Sequence, residues 1–115
     1  MSKDDIVYVG HMLDTARKSA SRVKRENRAA YDADENLRLA LAHLIQVLGE
    51  AARRVSPEFR QMHPEVPWNE IIGMRHKIVH DYLRVDEDII WQVATVDLPR
   101  LVQTLDRLVP PETSP

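Results

Sequence analysis

Asp34–Val55, DENLRLALAHLIQVLGEAARRV, is the stretch that decides the fold. Leu37, Leu41, Leu44, Leu48, Ala51 and Val55 recur in it at steps of four, three, four, three and four. That period lines them along one face of an α-helix, and Ile45 and Val47 widen the apolar stripe. Asp32 or Asp34 is placed to accept the unpaired amides at its start. Upstream, Ile6, Val9, Leu13, Ala16, Ala20 and Val23 step by three and four in the same way. They predict another amphipathic helix, ending near Arg25–Arg28. The Tyr31-Asp32-Ala33-Asp34 stretch between the two reads as a polar connection. Two stripes of heptad-like period suit antiparallel packing at about +20°.

Downstream, Pro57, Pro64 and Pro67 interrupt the pattern. Residues 56–68 therefore read as a connector, with one helical turn at 57–61 and Trp68 as an anchor on the bundle. A third helix is expected from about Asn69 to Tyr82. Asp86 is the expected N-cap of a fourth, with Ile89, Val93 and Val96 inside and Pro99 kinking or breaking it. Leu98, Leu101, Leu105 and Leu108 continue the stripe. The expectation is an all-α, antiparallel bundle of four to five helices with no strand. It forms one domain over residues 1–109, followed by a Pro-rich tail at 110–115.

Composition narrows the function classes. The chain has 115 residues, 43% of them hydrophobic, with 3 Gly and 1 Phe, which argues against a turn-rich sandwich or barrel. It has no cysteine, so disulfides, thiol nucleophiles and Cys-based zinc sites are excluded, and a cytoplasmic location is expected. No apolar run follows Met1, so no secretory signal is expected. No stretch approaches the ~20 apolar residues of a membrane span. Net charge is −2, but residues 17–28 hold Arg17, Lys18, Arg22, Lys24, Arg25 and Arg28 against Glu26 alone, a local net of +5. Arg22, Lys24, Arg25 and Arg28 are RNA-binding candidates on that ground. The competing reading is a solvated helix face.

Polar chemistry concentrates in Ile71-Ile72-Gly73-Met74-Arg75-His76-Lys77-Ile78-Val79-His80-Asp81-Tyr82. On a continuous helix, Arg75 and Tyr82 share a face, and His76 and His80 are stacked neighbours. Arg75 and His80 would stand about 140° apart around the axis and ~7.5 Å along it. A permanent cation, a titratable imidazole and a phenol would then meet at an anion. The structural alternatives are an ordinary ion pair for Arg75, a partly buried His80 on a carbonyl, and Tyr82 capping the core. His76 and His80 could also hold a metal, with His63 or Asp81 as a third ligand that nothing fixes. His11 and His43 lie near apolar stripes and read as structural. Gly49 inside a strong helix implies a close helix approach there. Glu50 beside it is an auxiliary candidate for orienting a histidine or arginine, against the alternative of a surface carboxylate.

The window resembles the HepT-type branch of the HEPN superfamily. Arg75-His76-Lys77-Ile78-Val79-His80-Asp81-Tyr82 fits that family's Arg-x4-His-x-Tyr motif. The surroundings match in order: Gly49-Glu50-Ala51, His63-Pro64-Glu65-Val66-Pro67-Trp68, Ile71 to Arg75, Val85-Asp86, Trp91 and Asp97-Leu98-Pro99. One departure is His76, where many members carry Asn or Asp after the motif Arg. The resemblance implies a HEPN bundle forming a two-fold homodimer. It implies a metal-independent endoribonuclease with no cofactor, acting as toxin in a type VII-like HEPN/MNT toxin–antitoxin pair. Arg75 and His80 take the family's catalytic positions. Tyr82 takes the position where the nucleotidyltransferase antitoxin attaches AMP. The alternatives are a non-catalytic HEPN module that partners a nucleotidyltransferase, a metal-binding bundle and a structural dimerisation domain.

Overall fold

The computed structural model describes residues 3–81 and 84–110, with Lys3, Val79–Asp81 and Arg84 described by backbone alone. Two long helices, Lys3–Val23 (α1) and Glu35–Arg54 (α3), form the frame, as their stripes predict. Val9, Met12, Leu13 and Ala16 of α1 bury against Leu41, Ile45, Leu48 and Ala52 of α3. Their antiparallel sense is fixed by a polar suture at one end. Asp5, 4% exposed, accepts from the Ser56 amide and from Ser56 Oγ, both at 2.8 Å. A buried carboxylate is tolerated there because donors meet both of its oxygens.

The link between α1 and α3 is not the polar connection expected for residues 31–34. It is a short helix, Arg28–Ala33 (α2), capped by Asn27, whose side chain accepts from the Ala30 amide at 2.8 Å. Tyr31 is fully buried in it, its ring 5.2 Å from that of Trp91. A lone tyrosine among alanines and charged residues gives no periodicity to read, so its burial escaped the pattern. Asp34 caps α3 as expected, accepting from Leu37 N at 3.0 Å.

The proline-rich connector contains Pro57–Met62 (α4), with Ser56 as its cap and Phe59 buried. Trp68 is the expected anchor: it is buried, and its indole N–H donates to the His63 carbonyl at 2.9 Å. The expected helix from Asn69 to Tyr82 is two short ones, Trp68–Ile72 (α5) and Met74–Ile78 (α6). Gly73 divides them by capping α5, its amide bonded to the Asn69 carbonyl at 2.9 Å. The expectation of no strand is also corrected. Val79–Asp81 (β1) pairs antiparallel with Arg84–Val85 (β2). The β-branched pair Ile78 and Val79 is a weak helix former, and the strand takes over where it falls.

Asp86 caps Glu87–Gln92 (α7), accepting from Ile89 N at 3.1 Å. A π-helical turn over Val93–Asp97 then leads into Leu98–Asp106 (α8). Pro99 neither breaks nor ends this rod. It lacks the N–H that would reach back to Thr95, and the wider turn ahead of it absorbs the mismatch. Leu98, Leu101 and Leu105 of α8 complete the core against α1. The architecture is an all-α bundle with one two-stranded ladder at its edge. No helix among the described residues is long and apolar enough to cross a membrane.

Candidate active site

Residues Met74–Ile78 decide how the Arg-x4-His-x-Tyr segment is presented. Ile78 is fully buried and pins the end of α6, while Arg75, His76 and Lys77 are exposed. Gly73 starts the helix afresh after α5, and the His76 amide closes onto the Gly73 carbonyl at 3.0 Å. With so few residues, α6 has one anchored side, and the others are turned to solvent.

The chain then leaves the helix, so the helical geometry expected for Arg75, His76 and His80 does not apply. His80 lies in β1, and the stacked His76/His80 pair does not form on a helix. The register places Val79 opposite Val85 and Asp81 opposite Arg84. His80 is therefore an extra residue on its strand, a bulge in the backbone ladder. The segment is closed at its base, where Asp86 N donates to the Ile78 carbonyl at 2.6 Å. Arg75 and His80 thus flank one helix-to-strand junction. The side chain of His80 and all of Tyr82 lie outside the described residues, as does the Asp81 side chain.

Gly49 confirms the close approach that its place in α3 implies. A Cβ built there would stand 3.0 Å from the Ile71 carbonyl oxygen of α5. The bare backbone lets α3 and the α5–α6 junction meet, and a groove of about 260 Å3 opens along that seam. It brings Glu50 beside Arg75 and His76, with Gln46 and Arg53 in the same lining. Among the described residues, the ion-pair partners of Glu50 are arginines of its own helix. Glu50 Oε1 accepts from Arg53 at 2.7 Å and lies 3.7 Å from Arg54 Nε. The hydrogen bond from Arg53 is the main reason its carboxyl is held below the usual carboxylate range. Gln46 and Arg53 were missed in the sequence, although four- and three-residue spacing from Glu50 places them next to it on the helix.

The basic run divides. Arg28 is clasped by Asp32 at 2.9 Å and Asp88 at 2.7 Å. Both contacts raise its pKa, so it stays charged and serves the fold. Arg17 pairs with Asp106 at 2.6 Å, joining α1 to α8, and Lys18 pairs with Asp14 at 3.2 Å. Arg22, Lys24 and Arg25 are exposed at the end of α1, with no ion pair among the described residues. His63 packs on Phe59, ring centroids 4.4 Å apart, with Nδ1 3.3 Å from Glu65 Oε2. That is a corner contact. Among the described residues no group of three or more His, Asp or Glu is placed to hold a metal.

Comparison with known proteins bears on the whole bundle. The family described as "Ribonuclease HepT-like" matches residues 12–108. A protein of Caldanaerobacter subterraneus subsp. tengcongensis named "Putative RNase" is 32% identical over 105 residues, spanning 91% of this chain and 94% of its own. The "Probable ribonuclease HepT" of Thermococcus cleftensis is 32% identical over 75 residues, 65% of this chain and 68% of its own. A "Putative RNase" of Methanocaldococcus jannaschii is 26% identical over 107 residues, 92% of this chain and 98% of its own. No solved structure matches significantly.

Proposed function

The chain belongs to the HepT-like ribonuclease family, and on that premise we propose that it is a metal-independent endoribonuclease. In this reading it is the toxin of a HEPN/MNT toxin–antitoxin pair in the cytoplasm. The observation that carries it is the junction after Gly73: an exposed Arg75 on a pinned helix, with His80 entering the strand that follows.

RNA carries its own nucleophile. The ribose 2′-OH attacks the adjacent phosphorus, a 2′-O–P bond forms, and the P–O5′ bond breaks. One group must take the 2′ proton and another must give a proton to the departing 5′ oxygen. An imidazole with an unperturbed pKa of ~6.5 suits both tasks, and His80 is assigned to them. Arg75 stays protonated, and its planar fork holds the non-bridging oxygens as charge builds on phosphorus. One imidazole cannot be acid and base in the same step. A two-fold dimer that brings two Arg75 and two His80 to one cleft supplies both. Leu39, 61% exposed, and Val47, 38% exposed, lie eight residues apart on α3 and support a face for a second copy.

The purified chain is expected to cut RNA in the presence of EDTA and to leave 2′,3′-cyclic phosphate ends. His80→Ala is expected to abolish the cuts and Arg75→Ala to reduce them strongly. Ends that are all 3′-hydroxyl and 5′-phosphate would reject the mechanism. Transfer of AMP to Tyr82 by a nucleotidyltransferase antitoxin would set a phosphate beside Arg75 and silence the enzyme without unfolding it. Tyr82→Phe is expected to resist silencing, and a variant silenced as fully as the parent would refute that step. Arg22, Lys24 and Arg25 are assigned to RNA guidance. Charge reversal at Arg22 and Arg25 should weaken RNA binding and flatten its salt dependence, and unchanged binding would return them to a solvated face.

A further inference from the structure

The groove beside Arg75 holds features that phosphate chemistry does not use. Its floor is Ile45, Ile72 and the side-chain-free backbone of Gly49 and Gly73. Its volume, about 260 Å3, falls below the ~300 Å3 at which pockets for drug-sized ligands begin. It suits one flat heterocycle, not a dinucleotide.

The walls are polar, and their polarity has a pattern. The Gln46 side-chain amide N–H donates to the Ala42 carbonyl at 3.3 Å, so its own carbonyl oxygen is an acceptor with no donor among the described residues. Glu50 is held by Arg53 through Oε1, and no ion pair to Oε2 exists among the described residues. Gln46 and Glu50 are four apart on α3 and share a face. One wall thus offers two acceptors side by side, with the Arg53 guanidinium holding Glu50 from the next position of the same lining. The other carries the exposed imidazole of His76, a ring type on which unpaired RNA bases stack, next to the Arg75 guanidinium.

We infer that this groove is a subsite for guanine in single-stranded RNA, at the nucleotide whose phosphate Arg75 holds. The inference rests on the ribonuclease reading above and names the base that reading leaves open. Guanine is the base whose pairing edge presents two adjacent donors, N1–H and the N2 amine. Adenine and cytosine each set a donor beside an acceptor, and uracil sets one donor between two acceptors. Against Gln46 Oε1 and Glu50 Oε2, each of those three turns at least one lone pair toward another.

Two measurements test the assignment. The first maps cut sites of the parent chain on a random-sequence single-stranded RNA library. Guanine beside the cut is expected to be enriched roughly tenfold to a hundredfold, the range of a two-point base contact. Glu50→Gln turns an acceptor position into an amide, and Gln46→Ala removes the second acceptor. Each is expected to flatten the preference. No base preference in the parent, or a guanine preference that neither variant moves, overturns the inference and leaves the ribonuclease reading standing. The second measurement titrates 5′-GMP, 5′-AMP, 5′-CMP and 5′-UMP into the parent chain and into Glu50→Gln, followed by amide chemical shifts. GMP is expected to bind tightest and to lose that advantage in the variant. Equal binding of all four, or of none, overturns the subsite. A chain that selects GMP but cuts no RNA would remove the ribonuclease reading and keep the subsite.

Discussion

The frame of α1, α3 and α8 and the segment from Trp68 to Asp86 differ in what interrupts them. The frame helices carry apolar residues at unbroken steps of three and four, and most of those residues bury. The segment from Trp68 turns at Gly73, leaves the helix after Ile78 and pairs as a short ladder. Its buried residues among those described, Trp68, Ile71 and Ile78, keep helical steps of three and seven, but the helix that would align them is broken at Gly73. The difference teaches a division of labour. Regular burial holds the bundle together, and the irregular segment uses three apolar anchors to expose Arg75, His76 and Lys77.

That contrast can be broken most strongly in the frame. Leu41 is fully buried, and Leu41→Ala is expected to cost about 2–5 kcal/mol in denaturant unfolding. Arg75→Ala should leave unfolding within about 0.5 kcal/mol of the parent. The same change should cut RNA cleavage by roughly 10²–10³-fold, as for loss of a charge-stabilising donor. An Arg75→Ala variant that melts early but still cuts would invert the division. Gly49→Ala joins the two regions. Its new methyl would press on the Ile71 backbone carbonyl and is expected to cost about 1–3 kcal/mol. Cleavage should fall with stability, because α5 leads straight into α6.

Smaller effects sharpen the picture. The Tyr31 hydroxyl donates to Glu87 Oε1 at 2.9 Å, and Arg38 Nε meets Oε2 at 3.0 Å. Tyr31→Phe should cost about 1.5 kcal/mol, the low end for a bond to a charged group, since Arg38 still pairs with Glu87. Asp34→Ala should cost about 1 kcal/mol through the lost cap on α3. Glu50 gives the smallest signal. Its folded pKa is depressed, so its contribution is present above the unfolded value and fades as pH falls through the folded one. Melting curves of Glu50→Gln and the parent should differ slightly at neutral pH and converge on acidification. Curves that diverge in acid would reverse the sign.

The fold was legible where side chains repeat or where one residue type has one job. Asp34 and Asp86 cap helices as expected, Gly49 marks a close crossing, and Trp68 anchors the connector. What stayed hidden depends on tertiary context. Nothing local says that Tyr31 is buried, because its partners Trp91 and Glu87 lie 60 and 56 residues away. The ladder at Val79 was hidden because a helix through Tyr82 satisfies the same apolar positions until Asp86 bonds back to Ile78. At the site, Arg75, His76 and Glu50 were named from the residues. The partnership of Glu50 with Arg53 turns on which cation is nearer, and a sequence carries no distances.

Asp86 has one more consequence. Its amide latches onto Ile78 while its carboxylate seats α7, so the exit from the bundle and the re-entry are stapled at a single residue. The exit and the re-entry are thus tied to each other through one residue. That residue couples the fate of the ladder to that of α7, and whatever loosens Asp86 loosens both together.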